Sequence, residues 1–506
     1  LSFILLLLLI NITGCKSKNI EEYSLFENNN VKSKFKTEGT NFQIYDEDKW
    51  DNFIIKSITV NNYFPDIEKP TEDYFYNQIE LISKTNANTI KVDELLQPEF
   101  YNALYKFNEN NQNKMYLIQS ITMDTKNLEI NPDPFKLDNM VPYKDKISTY
   151  ISAIHGDVTI PIKEVNDKEF GGKYTKDVSK YTLSYILGSK WNVDAIKATN
   201  ETRTDKEDLD SIFLATKNAK PFEVFLANCL EHAIGYERDK YSYHTPVSIL
   251  NTPRTDILNQ AYNTNPNDNL VSIDPNVIIP KNEHISYFVS YEIFPYEPDF
   301  LNLNPKYTKY IDHRGNTNNY AGYLNDLITK HEIPVFISDF GIPSSRGISS
   351  ISTSNKNKGK NSEKEQGEIL VSMFEDIIYQ KAIGASIYSW QDNFENNLWL
   401  DRQNPNQNFG LITFENKPDY FNMTEKELKK EIETPNYISE KNSDDIIDSI
   451  IINSDFKNIY LDIKYKNIES YKDINTTIGV NITNEFGSNV MTSDIKSNLL
   501  NNFLIN

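Results

Sequence analysis

Acidic side chains recur directly after short apolar runs, and this pattern could support catalysis. Asp339 is one example: it follows the apolar run 335–337 and precedes a turn marked by Gly341 and Pro343. Two neighbouring carboxylates can act as general acid and base, or as acid and nucleophile, on a bond held between them. Taken alone, Asp339 is explained about equally well as a turn-capping residue. Other acidic residues at such positions are Asp93, Glu94, Asp124, Glu292 and Asp392.

These acidic residues need a fold that brings them to one edge. Strand-like runs alternate with stretches whose apolar residues recur at helical spacing, which predicts an α/β fold with a parallel sheet. Their number favours a closed (β/α)8 TIM barrel, with the strand ends at one rim. An open doubly wound sheet is the alternative, although no glycine-rich phosphate loop follows the first strand. The strand-like runs are 53–60, 89–92, 115–121, 181–187, 247–250, 285–291, 335–337 and 385–389.

Aromatic and amide side chains lie beside the acidic strand ends. Carboxylates ringed by aromatic faces suit glycoside chemistry, so we expect the rim to bind carbohydrate. Each residue taken singly is more readily structural: Trp390 as core, Asp392 as a helix cap, and Glu292 as the partner of a lysine. The candidates for substrate binding at these positions are Trp191, Asn251, Tyr291, Tyr296, Trp390, Gln391 and Asp392.

Composition narrows the classes of partner. The 506 residues carry a formal net charge of -20, which argues against nucleic acid or an anionic lipid surface as the main partner. The 6 His residues are scattered without ligand spacing, so no metal site is predicted, and no cofactor is expected. Apart from Cys15, the remaining cysteine is Cys229 in an apolar stretch, where a core role is expected. The sequence leaves the oligomeric state open.

The first fifteen residues are typical of an export signal. An apolar run, 3–10, is too short to span a bilayer and is followed by Ile12-Thr13-Gly14-Cys15. This tetrapeptide resembles a bacterial lipobox, which implies a lipid on Cys15 and a membrane anchor at the extracytoplasmic face of the cell envelope, periplasmic or cell-surface. The chain lacks an initiating Met and a basic segment here, so we expect a fragment at this end. Residues 16–49 are polar and are predicted to form a tether.

The rest of the chain divides into three predicted parts. Residues 50–422 form the barrel, and an insert at 344–366, rich in Ser, Asn, Lys and Gly, is expected to cover the rim as a lid or flap. Residues 423–440 are a charged linker. Residues 441–506 contain strand-like runs and are predicted to form a small β module that is cut short.

Several motifs in combination resemble a family of bacterial glycosidase-like (β/α)8 proteins, which is similar to the clan of retaining glycosidases. The resemblance covers roughly 50 to 420, and it implies a carbohydrate-active barrel. It adds His155 and Arg346 to the candidate binding residues, although His155 is more readily a hydrogen-bonding residue at the end of a strand or helix. The matching stretches are 98–104, 116–119, 154–156, 174–179, 185–188, 221–223, 295–300, 340–347 and 389–392.

The chain departs from this family at both chemical positions. In the clan, a Glu at the tip of the fourth strand is the acid/base and a Glu at the tip of the seventh is the nucleophile. Here Lys190 and Asp339 stand at those positions. A lysine is a weak general acid at neutral pH, and an aspartate sets its carboxylate one methylene further back. An ion pair between Lys190 and Asp339 is therefore an alternative to catalysis.

Three hypotheses follow, and the sequence leaves open whether the protein is an enzyme. The first is a glycoside hydrolase or transglycosylase in which Asp339 is nucleophile or base and Glu292 or Asp124 is the acid. The second is a carbohydrate-binding surface lipoprotein in which Lys190 and Asp339 are remnants of a catalytic pair. The third is a structural surface protein, which predicts no saccharide binding.

Overall fold

The computed structural model describes the barrel region almost completely. It covers residues 24–26, 31–62, 69–165, 168–258, 260, 262, 271–345, 347–393, 405–412, 447–454, 459–466, 475–481, 490–496 and 504–505. Cys15, Arg346 and the predicted linker at 423–440 lie outside these residues. Predictions about them therefore stay predictions.

Eight parallel strands close into a barrel, with neighbours in chain order and the last strand paired to the first. The predicted (β/α)8 fold is confirmed, and the open sheet is excluded. The strands are β1 (Ile55–Val60), β2 (Thr89–Val92), β3 (Tyr116–Ile121), β4 (Thr182–Leu187), β5 (Val247–Asn251), β6 (Tyr287–Glu292), β7 (Val335–Phe340) and β8 (Gly384–Ile387).

Helices follow most of these strands and pack around the barrel. The last long helix begins with a capping box formed by Ser362 and Glu365, and it buries Leu370, Met373 and Ile377 at helical spacing. Within the described residues, no helix is both long and apolar enough to cross a membrane. The longer helices are α1 (Glu72–Ser83), α2 (Pro98–Asn110), α3 (Leu137–Ile154), α4 (Val193–Thr202), α5 (Pro221–Tyr241), α6 (Asn319–Ile328) and α7 (Glu363–Tyr379).

A small antiparallel sheet closes the end of the barrel where the strands begin. Its strands are Phe35–Glu38, Asn41–Asp46 and Lys49–Asn52, and its buried Phe35, Phe42 and Ile44 join a core that includes Phe288 and Phe336 from inside the barrel. The prediction of a tether over 16–49 is therefore wrong for 31–49. Three apolar side chains fall on one face of this sheet, and burying them against the barrel removes them from water.

Further strands lie outside the barrel. A hairpin of Val158–Val165 and Lys168–Tyr174 separates α3 from β4. Near the end of the chain, Ile447–Ser454 pairs with Ile459–Tyr465, and Asn475–Asn481 pairs with Val490–Lys496, both antiparallel.

Candidate functional site

A cavity of about 390 Å3 opens where the barrel strands end. In (β/α)8 proteins this end carries the chemistry, because the loops that follow the strands can change without disturbing the barrel. Six strands contribute side chains from at or near their last residues: Lys91, Ser120, Ile186, Leu250, Glu292 and Asp339. Polar and charged groups from separate parts of the chain thus meet in one space.

Asp339 lies at the floor of this cavity near the end of β7, and its side chain is 8% exposed. Thr59 on β1 donates a hydrogen bond of 2.7 Å to Oδ1 of Asp339. The Nζ of Lys91 lies 2.9 Å from Oδ2 and 3.2 Å from Oδ1. Both carboxylate oxygens of Asp339 therefore accept hydrogen bonds, and the ammonium of Lys91 lies against the pair.

Lys91 is the residue that the sequence analysis missed. Its side chain is 2% exposed, and its Nζ also lies 2.5 Å from Oδ1 of Asp93. Burial lowers the pKa of Lys91, but the two carboxylates outweigh burial and the net pKa is raised. Burial raises the pKa of Asp339, and the ammonium of Lys91 opposes that rise. The raised pKa of Lys91 follows from its position between two carboxylates, whereas that of Asp339 follows from its burial. A lysine within a short buried strand was the available signal, because such a lysine needs a counter-ion.

Lys190 and Glu292 form a second ion pair at the mouth, with Nζ 2.6 Å from Oε1. The Lys190 side chain is 71% exposed and that of Glu292 only 11%, so the lysine covers the glutamate from the solvent side. Partial desolvation beside the cavity lowers the pKa of Lys190, but the Glu292 carboxylate outweighs this effect and the net pKa is raised. The alternative ion pair between Lys190 and Asp339 does not form, because each residue has a different partner.

Four aromatic rings form one wall of the cavity. Phe294 stacks on Tyr296 with centroids 5.7 Å apart, and it meets Tyr388 and Phe409 edge-on at 6.3 and 5.9 Å. Burial raises the pKa of the Tyr388 phenol, and the nearby Asp339 adds to that rise. Tyr296 was predicted as a binding residue; Tyr388 and Phe409 follow β8 and were not.

The loop after β7 folds over the same mouth. Its strands Ile348–Ser350 and Lys358–Gly359 pair with each other, and Lys358 lines the cavity. Gly359 has φ +101, and a Cβ there would lie 1.9 Å from the carbonyl oxygen of Gly347. Glycine is therefore required for the two strands to approach each other.

Three predicted residues point away from the cavity. The buried Trp191 ring packs edge-on against Phe222 and Phe225 of α5. The amide of Asn251 bonds the carbonyl of Ile273, and the hydroxyl of Tyr291 lies 3.0 Å from Nε2 of His331. Successive side chains of a strand alternate between its faces, so Tyr291 turns outward because Glu292 turns inward.

The structure places His155 at the opposite end of the barrel. It caps the C-terminus of α3, and its Nε2 lies 3.1 Å from Oε1 of the buried Glu237. Its ring stacks on Tyr241 with centroids 3.9 Å apart. His155 thus has a hydrogen-bonding role at a helix end, the alternative to substrate binding, and it does not line the cavity.

The residues after β8 anchor the backbone beside the cavity. Nε1 of Trp390 donates to Gln78 at 2.8 Å, and Nε2 of Gln391 donates to the hydroxyl of Tyr74 at 3.2 Å. Asp392 accepts a hydrogen bond of 2.8 Å from the backbone N–H of Gly410. Asp124 is exposed and accepts from the backbone of Lys126 at 3.0 Å. Of the predicted residues, Asp93, Asp339, Glu292, Lys190 and Tyr296 are brought together in the cavity.

The comparisons with known proteins assign the chain to no family. No model of a known protein family matches the chain, and no curated protein matches it. Solved structures with a related fold include a Faecalibacterium prausnitzii β-glucuronidase, at 12% identity over 75% of this chain and 48% of that chain, with a TM-score of 0.42. Saccharomyces cerevisiae Gas2p in complex with laminaritetraose and laminaripentaose gives 12% identity, 84% and 71% coverage, and a TM-score of 0.40.

An exo-β-1,4-mannosidase from Opitutaceae bacterium strain TAV5 gives 12% identity, 72% and 57% coverage, and a TM-score of 0.39. The chain spans about half the length of the β-glucuronidase. Likenesses this loose carry no argument about activity. The chain has the (β/α)8 barrel that the glycosidase-like resemblance predicts, and its own strand pairing establishes this. Within the described residues, no group of three or more His, Cys, Asp or Glu could hold a metal ion.

Proposed function

We propose that the barrel binds a carbohydrate in this cavity without hydrolysing its glycosidic bonds. One observation carries the proposal: each of the two carboxylates at the ends of β6 and β7 is held by a lysine. Oε1 of Glu292 lies 2.6 Å from Nζ of Lys190, and Oδ2 of Asp339 lies 2.9 Å from Nζ of Lys91.

The cavity combines the two surfaces that a sugar requires. The Phe294 and Tyr388 rings offer apolar faces for the C–H groups of a pyranose. Asp93, Ser120 and Thr122 offer hydrogen-bonding groups for its hydroxyls. Ligand cavities are commonly built this way, with aromatic walls and a few placed polar groups.

Hydrolysis by two carboxylates needs one acid that gives up a proton and a second carboxylate that attacks carbon or activates water. At the position of the acid stands Lys190, whose raised pKa makes its ammonium a poor proton donor. At the position of the nucleophile, both oxygens of Asp339 already accept hydrogen bonds from Thr59 and Lys91. An attack on carbon would have to displace those contacts.

One observation favours the enzyme alternative. Because burial raises the pKa of Asp339, this carboxyl can hold a proton closer to neutral pH than an exposed aspartate does. Asp339 would then serve as an acid, with Asp93 or Glu292 as its partner carboxylate. Turnover measurements separate this alternative from binding alone.

We also propose that the protein is anchored to the bacterial cell envelope by a lipid on Cys15, as the lipobox-like Ile12-Thr13-Gly14-Cys15 supports. Metabolic labelling with a fatty-acid analogue tests this. We expect label in the parent chain and none in Cys15→Ser, and equal labelling of both would contradict the anchor.

The binding proposal is tested by screening the full chain against an array of oligosaccharides. We expect at least one glycan to bind, and Phe294→Ala to weaken that binding by roughly fivefold to tenfold, because one stacking face is lost. Tyr105→Ala removes a half-buried ring of α2 outside the cavity and should leave binding unchanged. A folded parent that binds no glycan would contradict the proposal.

A further inference from the structure

Lys358 differs from the other two lysines of the cavity. Lys91 lies between Asp339 and Asp93, and Lys190 lies on Glu292. The Nζ of Lys358 lies 5.4 Å from the centroid of the Tyr296 ring. Within the described part of the chain, no carboxylate lies within ion-pair distance of this ammonium.

The backbone that carries Lys358 is fixed. Its strand pairs with Ile348–Ser350, and Gly359 permits the close approach to Gly347. On the same loop, Nζ of Lys356 donates to Oδ1 of Asn318 at 3.2 Å, and Nδ2 of Asn361 donates to the carbonyl of Pro343 at 3.0 Å. The ammonium of Lys358 is therefore held at the cavity rather than extended freely into solvent.

A half-buried ammonium that rests on a ring keeps its positive charge uncompensated, because the ring supplies a quadrupole and no counter-ion. A negatively charged ligand group would supply a charge-assisted hydrogen bond there. Three of the carboxylates at the cavity, Asp93, Asp339 and Glu292, already have lysine partners. Glu297 also lines the cavity, so preference for a cationic sugar is the competing outcome.

Building on the proposed saccharide binding, we infer that the ligand is a sugar bearing a negatively charged substituent, which Lys358 contacts. The shared chemistry is an anionic oxygen group, either the carboxylate of a uronic acid or a sulfate or phosphate ester. Lys358 is a specificity residue in this account, and the aromatic wall binds the ring that carries the charge.

The test compares oligosaccharides that share a backbone and differ in charge: neutral, uronic acid, sulfated, phosphorylated and amino forms. Binding of each to the full chain is measured by calorimetry beside Lys358→Gln and Lys358→Arg. We expect the parent to bind one anionic form about tenfold or more tightly than its neutral counterpart, Lys358→Gln to lose that preference, and Lys358→Arg to keep it. Lys364→Gln is the matched control, because Lys364 is 84% exposed on α7 and should not alter the preference.

The outcomes separate this inference from the proposed function. Equal binding of neutral and anionic forms, or a preference that survives Lys358→Gln, overturns the inference and leaves saccharide binding standing. Tighter binding of the amino form also overturns it and assigns recognition to Glu297. Failure of the parent to bind any form overturns both proposals. A preference confined to the uronic acid, to the sulfate or to the phosphate identifies the source of the charge.

Discussion

Lys91 on β2 and Asp339 on β7 meet at the floor of the cavity, with Nζ 2.9 Å from Oδ2. The two strands are separated by β8 and β1, so the ion pair joins parts of the barrel that no backbone hydrogen bond joins. Their side chains are 2% and 8% exposed, so solvent screens the pair very little. This contact joins two separate parts of the barrel and occupies the carboxylate of Asp339.

Replacing Lys91 by Met should destabilise the fold in a pH-dependent way. The change leaves Asp339 buried beside Asp93 without the ammonium, which costs about 3–5 kcal/mol when the carboxylate is ionised. The pKa of Asp339, already raised by burial, then rises further, so the loss should be larger at pH 8 than at pH 5. Urea denaturation at both pH values measures it. Adding Asp339→Asn should recover part of the loss, and a cost equal at both pH values would contradict the account.

The second ion pair should contribute far less to stability. Lys190 is 71% exposed, so water screens its attraction to Glu292 and can solvate the glutamate once the lysine is removed. We expect Lys190→Met to lower the free energy of unfolding by less than about 1 kcal/mol. A loss as large as that of Lys91→Met would contradict this expectation, because it would mean that water does not screen the Lys190–Glu292 pair.

Asp256 should make stability depend on pH from a position outside the cavity. It is buried, accepts from the hydroxyl of Tyr323 at 2.5 Å and from the N–H of Leu258 at 2.7 Å, and burial raises its pKa to about 7. A raised pKa means that its stabilising contribution is complete below pH 3.8 and is lost as the pH rises through 7.

Asp256→Asn removes this titration. The parent should therefore lose stability relative to the variant between pH 4 and pH 8, by at most about 4 kcal/mol. Denaturation midpoints across that range test the sign. A constant difference between the two proteins would contradict the assignment.

The sheet at the closed end of the barrel should be part of the folding unit. Phe42 is 1% exposed against barrel residues, so Phe42→Ala should cost about 3–5 kcal/mol through lost burial and a cavity. Tyr45→Ala, on the half-buried face of the same strand, should cost less than about 1 kcal/mol. Equal, small effects of both changes would favour the tether predicted for 16–49.

The barrel was predictable because its strands are short apolar runs separated by helices with one apolar face. The run at 335–337 and the helical pattern around Leu370 and Ile377 illustrate both signals. The segment 31–49 was misjudged because its strands are short and mostly polar. Only the packing of Phe35, Phe42 and Ile44 against the barrel shows that they are buried.

The candidate site was only partly predictable. Strand-end position predicted Asp339 and Glu292, the family resemblance predicted Lys190, and all three line the cavity. Neither signal showed which cation meets which carboxylate, because Lys91 reaches Asp339 across the barrel rather than along the chain. Tyr291 was predicted to bind substrate, but its side chain faces away from the cavity. A shift of one residue along a strand decides whether a side chain faces the cavity or the helices.

The central claim is that the cavity binds sugar and does not cleave it. Turnover of a panel of aryl glycosides and oligosaccharides by the full chain tests this most directly, with Asp339→Asn measured in parallel and binding recorded in the same samples. The account predicts saccharide binding by the parent and no hydrolysis by either protein. Hydrolysis by the parent that Asp339→Asn abolishes would contradict it and would establish a working catalytic site built around Asp339.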